Sequence, residues 1–123
     1  MLLRELHRHQ ISPHRLQEVA RRLGKNPALS AKLADLAMEK FGRINLVAPA
    51  AGIIRDGLMV APDRETGKVT KKMSLANFQA VIDINLTGVF LTVRECAARM
   101  IDHGCRGLIC LFSSTGSLEL RGR

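Results

Sequence analysis

Three small groups of residues in this chain are of types that could face a ligand. Ser113 and Ser114 follow an apolar run, Gly107 to Phe112, that reads as a buried strand. The carboxyl ends of strands are where ligands bind in open α/β sheets. Asn85 stands inside a helical apolar pattern. An amide in mid-helix serves a site or satisfies a backbone carbonyl freed where the helix bends. Ala51 and Gly52 lie near the end of a second apolar run, INLVAPAAGII. A glycine there lets the backbone approach a ligand closely, or simply makes a turn. A serine pair at a strand end also serves as a turn or helix cap. Residue type alone therefore leaves each group with a functional and a structural use.

Other chemistry has less support. His7, His9 and His14 have no acidic or cysteine partner at a usual ligand spacing, so they read as a solvated basic segment. Cys96, Cys105 and Cys110 are odd in number and form no C-x-x-C, which indicates neither a disulfide framework nor a zinc site. They read as reduced structural thiols. The net charge is +8, with a basic N-terminal part and a small cluster at Lys68, Lys71 and Lys72. Such a balance attracts anions nonspecifically. With four Phe and no Trp or Tyr, the basic segments lack stacking residues, and specific nucleic-acid recognition is not expected. No uninterrupted apolar run approaches the roughly 18–20 residues of a membrane span, and MLLRELHRHQ lacks the apolar centre of a signal peptide. A cytoplasmic product is the expectation.

The elements that must position these residues can be read from spacing. Ser12 and Pro13 open a helix through Leu16, Val19, Ala20 and Leu23 that Gly24 stops. After a break at Asn26-Pro27, a second helix runs through Leu29, Leu33 and Leu36 to Phe41, with Gly42 as its cap. The next strand, expected to be buried on both faces, ends near Ala48 because Pro49 has no N–H for a ladder. Residues 55–72 read as a long polar loop. Ser74 caps a long helix reaching about Asp102, with a bend expected near Asn85 to Gly88. Strand, crossover helix and strand form a right-handed parallel unit.

Three strings in this order, FGRINLVAPAAGI, VIDINLTGVF and GLICLFSSTG, resemble the middle of a short-chain dehydrogenase/reductase, the family of NAD(P)-dependent Rossmann-fold oxidoreductases. The resemblance implies an α/β fold, a partial Rossmann-type parallel sheet preceded by two helices. It covers residues 28–117, leaving 1–27 as a basic helical segment and 118–123 as a tail without assignment. It implies that Ala51 and Gly52 lie beside the cofactor, NAD or NADP. Asn85 takes the place of an asparagine that relays protons through its backbone and a water, and Ser114 or Ser113 that of a serine donating to the substrate carbonyl. Strand register selects Ser114; the spacing to Gly116 selects Ser113. Pro49 and Ala50 replace two asparagines of the family pattern.

Two further family landmarks are missing. Only Gly24 precedes Gly42, so no glycine-rich phosphate loop can be written there, and the tyrosine of the family's Tyr-x-x-x-Lys pair has no counterpart. The expectation is a truncated or partial oxidoreductase, inactive alone and doubtful in cofactor binding. Two exposed sheet edges would leave it marginally folded or self-associating. An alternative is a noncatalytic partner, with a second copy or an intact relative docking on helix 74–102. Another is a basic helix-turn-helix-like DNA-binding segment over residues 13–37, disfavoured by Pro27 and by the apolar second helix.

Overall fold

The computed structural model describes Arg22 and residues 26–114. The expected first helix, Ser12 to Leu23, the histidines at 7, 9 and 14, and Gly116 lie outside the described residues, except for the helical Arg22.

Helix α1 spans Pro27–Phe41. The Asn-Pro break is its start: the Asn26 side chain accepts from the Ala28 N–H at 3.0 Å, and Pro27 occupies a position whose N–H has no helical acceptor. Gly42, at φ 71°, adopts the left-handed conformation that ends the helix and donates to Met38 O at 2.8 Å. Strand β1 is Leu46–Val47, and β4, after the long helix, is Leu108–Ile109. They pair in parallel, Leu46 with Leu108 and Val47 with Ile109. The regular strands are shorter than their apolar runs, although Cys110 N–H still donates to Val47 O at 2.8 Å. Gly107 makes the pairing possible. A Cβ there would meet Met100 Cε and lie 2.9 Å from the Asn45 backbone.

The expected loop over residues 55–72 is instead largely an antiparallel hairpin, β2 (Val60–Pro62) with β3 (Val69–Lys72). Its tip is an Asx turn. Asp63 Oδ1 accepts from Glu65 N–H (3.1 Å), Thr66 N–H (2.8 Å) and the Thr66 hydroxyl (2.9 Å). These bonds hold the Asp63 carboxyl below its usual pKa, led by those from Thr66.

The crossover is one helical path, α2 (Leu75–Ile82), a π-helical turn (Asp83–Thr87) and α3 (Gly88–Asp102). Ser74 Oγ accepts from Asn77 N–H at 3.2 Å, the expected N-cap. Where a bend was expected, the helix takes up a wider π turn, a device concentrated at functional sites. This path of 28 residues is long and apolar enough to cross a membrane by length and composition, with mean hydropathy 1.3 over its most apolar window. Part of its apolar face packs inside the protein, while Leu75, Leu86, Phe90 and Ile101 are exposed. Cys96 and Met100 from α3 join Ala34, Ile44 and Val47 in the core, and Arg99 binds Asp35 of α1 at 2.8 Å and Glu95 at 2.8 Å.

Only one face of the β1–β4 pair is covered by the described residues. Val47 is buried and Ile109 packs against the core, whereas Leu46 is 60% and Leu108 64% exposed. Burial on both faces is thus corrected to burial on one, because α1 and α3 share a side. Cys110, read as a structural thiol in a buried strand, is exposed; Cys96 is buried, and that burial raises its pKa and keeps the thiol protonated.

Candidate functional site

Because β1 and β4 run parallel and in register, the segments that leave them, Ala48 to Ile53 and Cys110 to Ser114, emerge at the same edge. That edge carries Ala51, Gly52, Ser113 and Ser114, all of them exposed. The remaining sequence candidate, Asn85, reaches the β1 segment from the π turn. Its Oδ1 accepts from Ile53 N–H at 2.9 Å and its Nδ2 donates to Ile53 O at 2.9 Å. Both polar groups of one peptide residue are answered by one amide. Only one orientation of that amide works, since the flipped form would set donor against donor and acceptor against acceptor.

The clamp gives the Asn85 side chain a partner outside its own helix. The side chain does not satisfy its own helix; it fixes a residue 32 positions earlier, in the segment that leaves β1. The Asn85 carbonyl belongs to the π turn and is separate from this pair of bonds. Gly52, next to the clamped residue, is not among the glycines with positive φ, which argues against a turn requirement. A Cβ at Gly52 would sit 3.5 Å from Asn85 Oδ1, an ordinary contact. The clamp therefore tolerates a small side chain at position 52. Ser113 and Ser114 share the edge and take part in interactions, but the geometry does not choose between them. Ile53 was not among the sequence candidates. Its contribution is a backbone N–H and C=O, which no side-chain type announces.

A cavity of about 350 Å³ lies at the base of the hairpin, and another of about 280 Å³ lies beside the clamp. Leu33, Pro49, Ala50, Ala51, Ile84 and Thr92 line the second. Its walls are almost entirely apolar, partly because Pro49 and Ala50 offer no side-chain hydrogen bond. Phosphates of a dinucleotide need a turn of N–H groups or cations. The residues here suit an apolar group near the strand end and do not fit a whole dinucleotide. Among the described residues no group of three or more His, Cys, Asp or Glu is placed to hold a metal.

A parallel strand-helix-strand unit with polar residues at its carboxyl edge defines the chain as part of a Rossmann-type α/β domain. Residues 19–121 match the short chain dehydrogenase family, and the chain belongs to that family. It is 33% identical over 92 residues to the 3-oxoacyl-[acyl-carrier-protein] reductase of Synechocystis, a match covering 75% of this chain and 33% of that protein. It is 32% identical over 87 residues to the acetoacetyl-CoA reductase of Allochromatium vinosum, covering 71% and 31%. It is 35% identical over 89 residues to the bovine 3-hydroxyacyl-CoA dehydrogenase type-2, covering 68% and 32%. The chain spans about a third of the length of these curated relatives.

Proposed function

We propose that these residues form the central part of an NAD(P)-dependent oxidoreductase that interconverts a carbonyl and an alcohol, and that they give no turnover by themselves. The observation that carries this is the two-bond clamp between Asn85 and Ile53. It supports a shared site because it joins the helix string VIDINLTG to the segment leaving β1, and the segment leaving the parallel β4 carries Ser113 and Ser114. Ser114, the register match, donates its hydroxyl hydrogen to the substrate oxygen, with Ser113 as the alternative. The Asn85 side chain holds the strand end rigid, which leaves its backbone carbonyl to orient water. Gly52 keeps the approach to the strand end clear.

Inactivity follows from composition. No tyrosine is present, and an acid must reach the alkoxide from elsewhere. Dinucleotide binding by these residues alone is expected to be weak, because no glycine-rich turn opening a helix stands before β1 to hold a pyrophosphate. The relatives' names support trying acyl compounds of coenzyme A or acyl carrier protein first as substrates.

The test is a chimera in which residues 41–114 replace the matching part of the Synechocystis reductase. Carbonyl reduction that survives the exchange and falls at least about 100-fold in the Ser114→Ala or Ser113→Ala form would support the assignment. A folded chimera whose activity ignores both serines would overturn it.

A second use is supported by one feature of the long helix. Leu86 (63% exposed) and Phe90 (57%) stand one turn apart on its outer side, an apolar strip suited to a second copy or an intact relative. Replacing both by Glu should abolish self-association or capture of the relative in a sedimentation assay.

A further inference from the structure

The cavity at the base of the hairpin has a character unlike the rest of the molecule. Arg55, Lys71 and Lys72 converge on it, with Asp56 as the single carboxylate, while Leu58 and Met73 supply apolar wall. Lys40, Arg94 and Arg99 are each held by a carboxylate, at 3.3, 2.6 and 2.8 Å. Among the described residues none of the three cavity cations is in such an ion pair. Three like charges gathered around one carboxylate repel each other and raise the local concentration of anions.

Successive strand residues point to opposite faces, yet Lys71 and Lys72 both line it. Lys72 is the last residue of β3, and the register irregularity between Ala61 and Pro62 leaves Thr70 as the extra residue beside Lys71. The hairpin carrying them is braced at its tip by Asp63 and at its base by Met73 N–H donating to Met59 O at 2.9 Å.

Position ties the cavity to the proposed site. Arg55 is two residues beyond the clamped Ile53, so their Cα atoms lie within about 7 Å of each other. The opposite wall is the first turn of α2, the helix that continues into the π turn bearing Asn85.

We propose that this cavity is a subsite for a phosphate-bearing amphiphile, with cations on the phosphate and Leu58 and Met73 against the adjoining apolar part. This deepens the oxidoreductase reading, since the phosphate is assigned to the substrate's carrier and not to the dinucleotide.

The test is binding of coenzyme A, pantetheine and NADPH to the full chain by calorimetry, beside a Lys71→Glu/Lys72→Glu variant and an Arg55→Gln variant. All three positions are exposed, so circular dichroism should be unchanged. Coenzyme A is expected to bind, to weaken as salt rises, and to lose about tenfold or more in each variant. Pantetheine, which lacks phosphate, should bind at least tenfold more weakly. Equal affinity of the variants for coenzyme A, or parity between coenzyme A and pantetheine, would overturn the subsite. A loss of NADPH binding in the variants that matches or exceeds the loss for coenzyme A would overturn the assignment to the substrate. The serine chimera stands apart from these outcomes: it can succeed when the subsite fails, and fail when the subsite holds.

Discussion

The two faces of the β1–β4 pair have nearly the same composition and opposite surroundings. Val47 and Ile109 meet α1 and α3, whereas Leu46 and Leu108 are largely exposed. The difference teaches that apolarity in a parallel strand records a need for two layers, while the layer present depends on where the neighbouring helices run. In doubly wound sheets helices cover both faces. The described residues contain one side of that arrangement, in keeping with a chain spanning about a third of its relatives.

The largest way to break this comparison is Met100→Ala. Met100 is 7% exposed and packs with Val47 and Cys96, so its loss should cost about 2–5 kcal/mol in urea unfolding. A cost below 1 kcal/mol would mean that the covered face is as loosely held as the bare one. Asn85→Ala comes next, with about 1–2 kcal/mol for two hydrogen bonds at a site open to water. It should also speed amide exchange at Ile53 while leaving Val47 and Ile109 protected. At the bare face, Leu46→Lys should fall within about 0.5 kcal/mol of the parent chain. A cost above 2 kcal/mol would reveal that this face is covered after all, by a second copy or by another part of the protein.

The smallest effect concerns the hairpin, away from both faces. The Asp63 pKa is depressed in the folded state by the bonds from Thr66 and Glu65. A depressed carboxylate contributes stability above its unfolded pKa of about 3.9, lost as pH falls through the folded value. Amide signals of residues 60–72 should therefore hold down to about pH 4 and shift in stronger acid, a step that Asp63→Ala removes. Signals of the core should not follow the same step.

Much of the scaffold was legible because its signals are local. Ser74 and Gly42 announce caps by side-chain type, and the INLTG string marked where the long helix becomes irregular. The hairpin was not legible. The polarity of residues 55–72, with Pro62, Asp63 and Gly67 among them, made the segment look like loop, although Val60 and Val69 to Thr70 flank a turn that holds Asp63 and Gly67. Short exposed strands bury little, so the periodic burial signal is nearly absent from them. The candidate site divides in the same way. Gly52, Asn85 and the serines could be named from their strings, but the recipient of Asn85 could not, because it is the backbone of Ile53.

By itself, the sequence determined the helices and their caps, the two apolar strands and the order in which they follow, and the absence of a tyrosine, because residue type and spacing carry these. Tertiary structure alone decided which face of the sheet is buried, that Asn85 closes on Ile53 across 32 positions, and that Arg55 meets Lys71 and Lys72 around one cavity. Those outcomes depend on distances between segments remote in sequence. Backbone groups and converging like charges carry no local pattern from which such distances could be read.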